Sequence, residues 1–427
     1  MGAEALQLVL GLERHTEFVG RVWITSFADI DSYEVFAGLP QQDQAGLLRM
    51  LRGGQRASLA DARAAVIVCH SEPGAWALPE PLYQTALCPP VPVAQAARVV
   101  ARAMFETDRL SAEHVRRCNQ MHEVWVPTEF HRRTFAASGV QHSRLQVVPE
   151  PVDVHAFDPA RHAPLPLPLG TRVFGPAWPH APAPGGDGGA DSSGVGGGKP
   201  FVFLSIFKWE TRKGWDVLLR AFLTEFTAAD NVLLLLHTKP FHSEPDFPQQ
   251  MQDWVRRELP AAAERWEQLP SVYVTGEHIQ QVFFPRLYRS ADAFVLPTRG
   301  EGWGLPVVEA MAMELPVIVT NFSGPTAYLS EDVGYPLRYD LADVPAGTGA
   351  FSGHRWAQPS AEHLAQLMRH VVQHQEEAAQ QGKAARRLMA ERFSPAAVAE
   401  AVARQLRRIE RELAEQQQGE QPDEAEL

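Results

Sequence analysis

The stretch Leu296-Pro297-Thr298-Arg299-Gly300-Glu301-Gly302-Trp303-Gly304-Leu305-Pro306-Val307-Val308-Glu309-Ala310-Met311 decides how this chain is read. An apolar strand ends at Pro297. A loop interrupted by Gly300, Gly302 and Gly304 follows, and a helix starts near Leu305. Pro306 falls in its first turn, where a missing N–H costs nothing because no intrahelical acceptor awaits it. The unpaired N–H groups of such a helix start favour an anion, and the helix dipole adds to that preference. Gly302 and Gly304 allow a ligand to approach the backbone closely. Glu301 sits in the loop and Glu309 on the second helical turn. Two carboxylates beside a phosphate site can grip hydroxyls, one on a sugar and one on a ribose. The plainer alternative, a strand–turn–helix connection with solvated glutamates, is disfavoured by the density of these features.

Outward from this stretch, short apolar runs alternate with amphipathic ones. In the second half, strands are expected at Phe201–Phe207, Val232–His237, Ser271–Thr275, Ala293–Pro297 and Pro316–Asn321. Helices are expected at Trp215–Phe226, Phe284–Ser290, Leu305–Glu314 and Glu362–Gln375. In the first half the strands are Arg21–Phe27, Ala64–His70, Arg98–Phe105, Glu123–Pro127 and Leu145–Val148. The helices there are Ala3–Arg14, Ser111–Gln120 and Thr128–Ala137, with Thr128 as N-cap. The strands are rich in Val, Ile, Leu and Phe without alternation, the mark of parallel strands covered on both faces. The fold class is therefore α/β, with two doubly wound, Rossmann-like parallel-sheet domains. Ligands in such sheets bind beyond the carboxyl ends of the strands, so the cleft between the domains is the expected site.

The chain has 427 residues, and its length suits two or three domains. A formal net charge of -12 argues against a general nucleic-acid-binding role, which needs a basic face. Cys69, Cys88 and Cys118 have neither a disulfide-framework nor a zinc spacing and are read as three reduced, mostly buried thiols. There is no apolar run of about 18 residues to suggest a transmembrane helix. Met1-Gly2-Ala3-Glu4-Ala5 lacks signal-peptide character. The default compartment is cytoplasmic.

Residues 161–199 are dense in Pro, Gly, Ala and Ser and are expected to be a disordered insert or linker. The expected organisation is then an acceptor-side domain over 1–160 and a donor domain over 200–394. A packing helix over 395–414 and a disordered tail over 415–427 complete it. The apolar stripe Ala397, Val398, Ala401, Val402, Leu406 and Ile409 supports that last helix.

Glu301 and Glu309, with Gly302-Trp303-Gly304-Leu305-Pro306 between them, resemble the paired-glutamate motif of family 4 retaining glycosyltransferases. Ala310-Met311-Ala312 and Pro316-Val317-Ile318-Val319-Thr320 fit the same pattern. The resemblance covers the second half closely. It reaches the first half through Glu123-Val124-Trp125-Val126-Pro127-Thr128 and Val147-Val148-Pro149-Glu150-Pro151-Val152-Asp153. It implies the GT-B fold, a nucleotide-sugar donor (GDP- or UDP-linked) and a glycan, lipid or small-molecule acceptor. It implies transfer with retention, possible mannose specificity, and no metal or other cofactor.

Carried over residue by residue, Glu301 lies by the donor sugar and Glu309 holds the ribose, while Gly302, Trp303, Gly304 and Leu305 face the sugar and diphosphate. Lys213-Gly214 matches the family's lysine–glycine pair. The family's preceding arginine is Lys208 here, a cation without the bidentate fork, and Arg212 is adjacent. Ser323 and Gly324 resemble the loop beside the donor phosphates, and Gly276 and His278 the loop near the base. His70, closing a strand, is a candidate contact to the donor sugar, and Glu106 to the acceptor. Asp29-Ile30-Asp31 lacks the context of a metal site. The family begins with a strand and a glycine-rich loop, whereas here the first helix starts at Ala3. The resemblance thus implies that the first strand is missing. Two other readings stand beside transfer: a nucleotide-sugar epimerase on this fold, and a binding protein without full activity.

Overall fold

The computed structural model describes residues 3–25, 36–76, 88–177, 199–241 and 244–419, which form two units. The first unit comprises Met1–Asp153, Ala346–His354 and Glu391–Leu427, and the second Val154–Pro345 and Arg355–Ala390.

In the first unit, helices α1 (Ala3–Arg14), α2 (Gln41–Arg56) and α3 (Leu59–Ala64) precede strand β1 (Val66–His70). Strand β2 (Arg98–Arg102), α4 (Ala112–Gln120), β3 (Glu123–Val126), α5 (Glu129–Ser138) and β4 (Leu145–Val147) follow. The four strands form one parallel sheet in the order β1-β2-β3-β4. Val99 and Ala101 face a cluster with Cys118, Met121 and Phe135, while Val100 and Trp125 face α1 and the last helix, Pro395–Gly419. Both faces are covered, which is why these strands read as unbroken apolar runs. Thr128 does cap its helix: its hydroxyl oxygen accepts from the N–H of His131 at 3.1 Å.

In the second unit the elements are β5 (Thr171–Phe174), β6 (Phe201–Trp209), α6 (Trp215–Glu225), β7 (Val232–Pro240), α7 (Phe247–Glu258), α8 (Pro260–Ala263) and β8 (Ser271–Thr275). They continue with α9 (Phe284–Arg289), β9 (Ala293–Leu296), α10 (Leu305–Ala312), β10 (Val317–Thr320) and β11 (Tyr335–Leu337). The hairpin β12 (Tyr339–Asp343) and β13 (Arg355–Pro359) and the helices α11 (Ala361–Gln373) and α12 (Gln375–Leu388) complete it. The main sheet runs β11-β10-β9-β6-β7-β8-β5. All its pairs are parallel except β5 with β8. The fold is α/β in both units, as the strand–helix alternation implies; the second sheet is doubly wound, its strand order reversing at β6, while the described strands of the first run in sequence order.

Three expectations are corrected. Arg21–Thr25, the described part of the first expected strand, is not a strand. It lies against α2, where the N–H of Ile24 donates to the Met50 carbonyl at 3.1 Å. An apolar run can cover a helix as well as join a sheet, and its pattern alone does not decide. Gly54 makes the contact possible, since a Cβ there would lie 2.1 Å from the Ile24 carbonyl oxygen.

Second, Thr171–Phe174, inside the stretch read as a disordered linker, is strand β5 on the edge of the main sheet. An edge position tolerates the flanking prolines, which donate nothing to a ladder. Third, the three cysteines are not all reduced: Cys69 and Cys88 form a disulfide, with Cα atoms 5.7 Å apart, and Cys118 alone is free. Spacing in sequence says nothing about two residues that the chain brings together around the end of β1. Asp29 and Asp31 lie outside the described residues. No described helix is long and apolar enough to cross a membrane.

Candidate active site

β9 ends at Leu296 and α10 begins at Leu305, so the quoted stretch is a strand–loop–helix connection at the carboxyl end of the sheet. Its loop is held rather than free. Glu301 is 5% exposed, and Lys213 Nζ donates to both of its carboxylate oxygens, at 2.7 and 2.9 Å. The Thr298 hydroxyl donates to Glu301 Oε1 at 2.9 Å. The Glu301 N–H donates to Ser323 Oγ at 2.8 Å, and the Gly324 N–H to the Glu301 carbonyl at 2.9 Å. Burial pushes the Glu301 carboxyl up. The charges of Lys213 and Arg212 and the bonds from Lys213 and Thr298 outweigh it, so the group is held below its ordinary value.

The glycines have specific work. Gly304 precedes α10 at φ 92°, a left-handed conformation that a side chain would strain. A Cβ at Gly324 would lie 2.6 Å from the Gly302 carbonyl oxygen, so only glycine lets these two loops touch. Ser323 itself has φ 56° and is fully buried, a strained backbone held by its bond to Glu301. Trp303 is buried with its ring edge-on to Tyr328 at 5.2 Å, and the Tyr328 hydroxyl donates to the Trp303 carbonyl at 2.7 Å. Gly302 is buried, and Leu305 is half-buried at the helix start.

Lys213 comes from the turn after β6. Gly214 ends that turn at φ 71°, packed so closely that a Cβ would lie 1.9 Å from the Pro297 carbonyl oxygen. Arg212 donates to the Gly300 carbonyl at 2.6 Å and pairs with Glu210 at 2.8 Å, bracing the loop from the same side.

Lys208 is exposed above the Phe241 ring at 4.8 Å and stands opposite Lys239 in the β6–β7 register. Partial desolvation of its ammonium and the charge of Lys239, with Glu210 opposing and Lys213 and Arg212 adding, lower its pKa. Lys208, Arg212, Lys213 and Lys239 thus form one cationic group at the ends of β6 and β7. Lys239 is absent from the sequence reading, although its position at the end of an apolar strand was a usable signal.

Glu309 accepts a hydrogen bond from the Tyr288 hydroxyl at 2.7 Å. Tyr288 is fully buried, and burial and the Glu309 charge raise its hydroxyl well above the ordinary tyrosine value. Nothing local in the sequence identifies this partner. Gly276 follows β8 with Phe247 against it, a Cβ there lying 2.9 Å from the ring. Two residues on, His278 acts on His237, whose imidazole burial, Lys239 and His278 together lower to about 4.

Glu301, Lys213, Arg212, Ser323 and Gly324 therefore share one hydrogen-bonded constellation, and Lys208 joins it through charge. His70 belongs to the first unit, where it closes β1 opposite Arg102 of β2. Glu106 lies in that unit as well, after β2. Chemically, the second unit offers a helix start and clustered cations for a polyanion, and two buttressed carboxylates for hydroxyls.

Residues 198–343 match the family of glycosyl transferases group 1. The lipopolysaccharide core biosynthesis mannosyltransferase LpsB of Rhizobium meliloti (strain 1021) is 35% identical over 111 residues. That match spans 25% of this chain and 31% of the relative. Among solved structures, a glycosyltransferase from Rickettsia africae ESF-5 superposes with a TM-score of 0.56 at 14% identity, covering 96% of this chain and 95% of that one. Anabaena Alr3699/HepE, in complex with UDP and glucose, gives 0.50 at 14% identity over 72% and 71%. The fold is thus GT-B, with two Rossmann-like units.

Proposed function

We propose that this chain is a retaining glycosyltransferase that moves a sugar from a UDP- or GDP-sugar to a glycan, lipid or small-molecule acceptor, with no metal in the chemical step. The observation that carries this reading is the Lys213–Glu301 pair at the end of the donor-domain sheet, beside the start of α10. A partly buried ammonium next to a helix start is placed to take the charge that develops on a departing diphosphate. Fixed donors aimed at developing charge are usually the largest catalytic contribution. Lys208 and Lys239 extend the positive field along the diphosphate.

When donor binds, Lys213 shares its protons between Glu301 and phosphate oxygens. The carboxylate of Glu301, kept ionised by its surroundings, then accepts hydrogen bonds from hydroxyls of the donor sugar. Glu309, oriented by Tyr288, accepts from the ribose. The complexes of HepE with UDP and glucose support a uridine donor, and the name of LpsB supports mannose. The test is nucleoside-diphosphate release from UDP-glucose, UDP-N-acetylglucosamine and GDP-mannose, with product anomers read by NMR. Release of no nucleotide from any donor, together with no nucleotide-induced rise in Tm, would remove the proposal.

A further inference from the structure

Far from the donor residues in sequence, the first unit carries a groove of about 530 Å³ lined by Gly20, Trp23, Arg49, Arg52, Gly53 and Arg56, among others. The three arginines come from α2 at positions i, i+3 and i+7, one face of a helix. Arg49 is answered by the buried Glu13. Arg52 and Arg56 have no acidic partner among the described residues, in a chain whose formal net charge is -12. Uncompensated like charges on adjacent helical turns repel and are retained at a cost.

The other wall is Trp23, which leaves 49% of its surface exposed. Its ring rests on Gly53 so closely that a Cβ there would lie 2.6 Å from Trp23 Cδ1. The neighbouring Gly54 admits the Ile24 backbone. The paired glycines in α2, unfavourable for a helix interior, therefore seat an indole face beside the guanidinium groups.

We propose that this groove binds a phosphate ester of a polyol. The guanidinium forks of Arg52 and Arg56 take the phosphate oxygens. The indole face takes the C–H face of the attached polyol. Two sources carry that chemistry, a soluble sugar or glycerol phosphate and the headgroup of an anionic lipid. The groove belongs to the first unit and the donor residues to the second, and the proposal does not depend on the transferase reading.

The experiment uses the full chain, its Arg52→Gln/Arg56→Gln double variant and its Trp23→Phe variant. Soluble binding is read by titration with glycerol 3-phosphate, and lipid binding by co-sedimentation with vesicles of phosphatidylcholine with or without phosphatidylglycerol. We expect one of the two probes to bind. Binding should weaken at least tenfold in the arginine double variant and less in Trp23→Phe, and should fall steeply with salt. Soluble binding identifies a small phosphate ester; binding only to the anionic vesicles identifies a headgroup. Binding of neither probe, or equal binding by wild type and a double variant with unchanged Tm, overturns the proposal. Nucleotide-induced stabilisation is measured in the same variants. It should be unchanged, so failure here is distinguishable from failure of the donor site.

Discussion

Arg299 grips Asp216 with both guanidinium nitrogens, at 2.9 and 2.7 Å, and so joins the loop before Glu301 to the helix that follows Lys213. The same side chain donates to the Thr211 carbonyl at 2.5 Å and to Gln358 of β13 at 3.1 Å, and its guanidinium stacks 5.7 Å over Trp356. Its own N–H donates to the Arg212 carbonyl. The residue that spaces Glu301 from Lys213 is therefore Arg299, which itself touches neither. Arg299→Lys keeps the charge and loses the fork. The expected outcome is a fall of at least tenfold in kcat/KM for the donor with a Tm lowered by a few degrees. Arg299→Leu leaves Asp216 without its partner and should cost about 2–3 kcal/mol, discounted from the fully buried case because Asp216 is partly exposed. Urea denaturation checks this; equal stability of the leucine variant would show that the clamp contributes nothing.

Tyr288 bears on the second carboxylate. A hydrogen bond to a charged acceptor contributes about 1.5–3 kcal/mol, and Tyr288→Phe removes only that bond from Glu309 while leaving its packing with Phe157 and Phe294. Calorimetric titration with UDP and GDP should give an affinity weaker by roughly tenfold, with a Tm lowered by several degrees because the same bond also stabilises the fold. A nucleotide affinity equal to wild type would separate Glu309 from ribose binding.

The buried His131 makes stability pH-dependent. Its Nε2–H donates to the Phe105 carbonyl at 2.9 Å, and Nδ1 accepts from the Thr128 hydroxyl at 2.7 Å. Burial lowers its pKa from 6.5 to about 4, against the bond to Phe105, which raises it. The unfolded chain thus binds the proton first as pH falls. Folding stability is unaffected above about 6.5 and declines between there and about 4. A shift of that size corresponds to roughly 3 kcal/mol. His237 adds in the same direction in the second unit. Melting curves from pH 7.5 to 4.5 should show the loss, and His131→Gln should flatten part of it. A variant with an unchanged slope would assign the loss elsewhere.

Thiol chemistry gives a direct count. With Cys69 and Cys88 joined, alkylation of the denatured, unreduced protein should label one cysteine, and prior reduction should raise that to three. In the folded protein Cys118 should resist labelling, because burial pushes its thiol up to about 12. Three labelled cysteines before reduction would contradict the bridge.

What was legible in the sequence was local. Glu301, Glu309 and the glycines between them sit in one strand–loop–helix run, and Lys213-Gly214 closes a neighbouring one, so their resemblance to a family motif can be seen without the fold. The partners that hold them are long-range. Asp216 and Arg299 are separated by 83 residues and Tyr288 and Glu309 by 21, and no periodicity links them. Helix α12 went unread because its buried stripe is Ala378, Gly382 and Ala385, too small to mark a face. Gly382 is there to let the Glu314 carbonyl approach, where a Cβ would lie 2.0 Å from it. Helix α2 was hidden by its Gly53-Gly54 pair, which reads as a breaker and serves as a seat for Trp23 and Ile24.

The central claim is that Glu301 and Lys213 together form a donor site. It is tested most directly by nucleoside-diphosphate release from UDP- and GDP-sugars, measured for the wild type, Glu301→Ala and Lys213→Ala under identical conditions. The expected result is turnover by the wild type with at least one donor, and a loss of about a hundredfold or more in each variant, in the range seen when one charge-stabilising donor is removed. Turnover by both variants at the wild-type rate would contradict it.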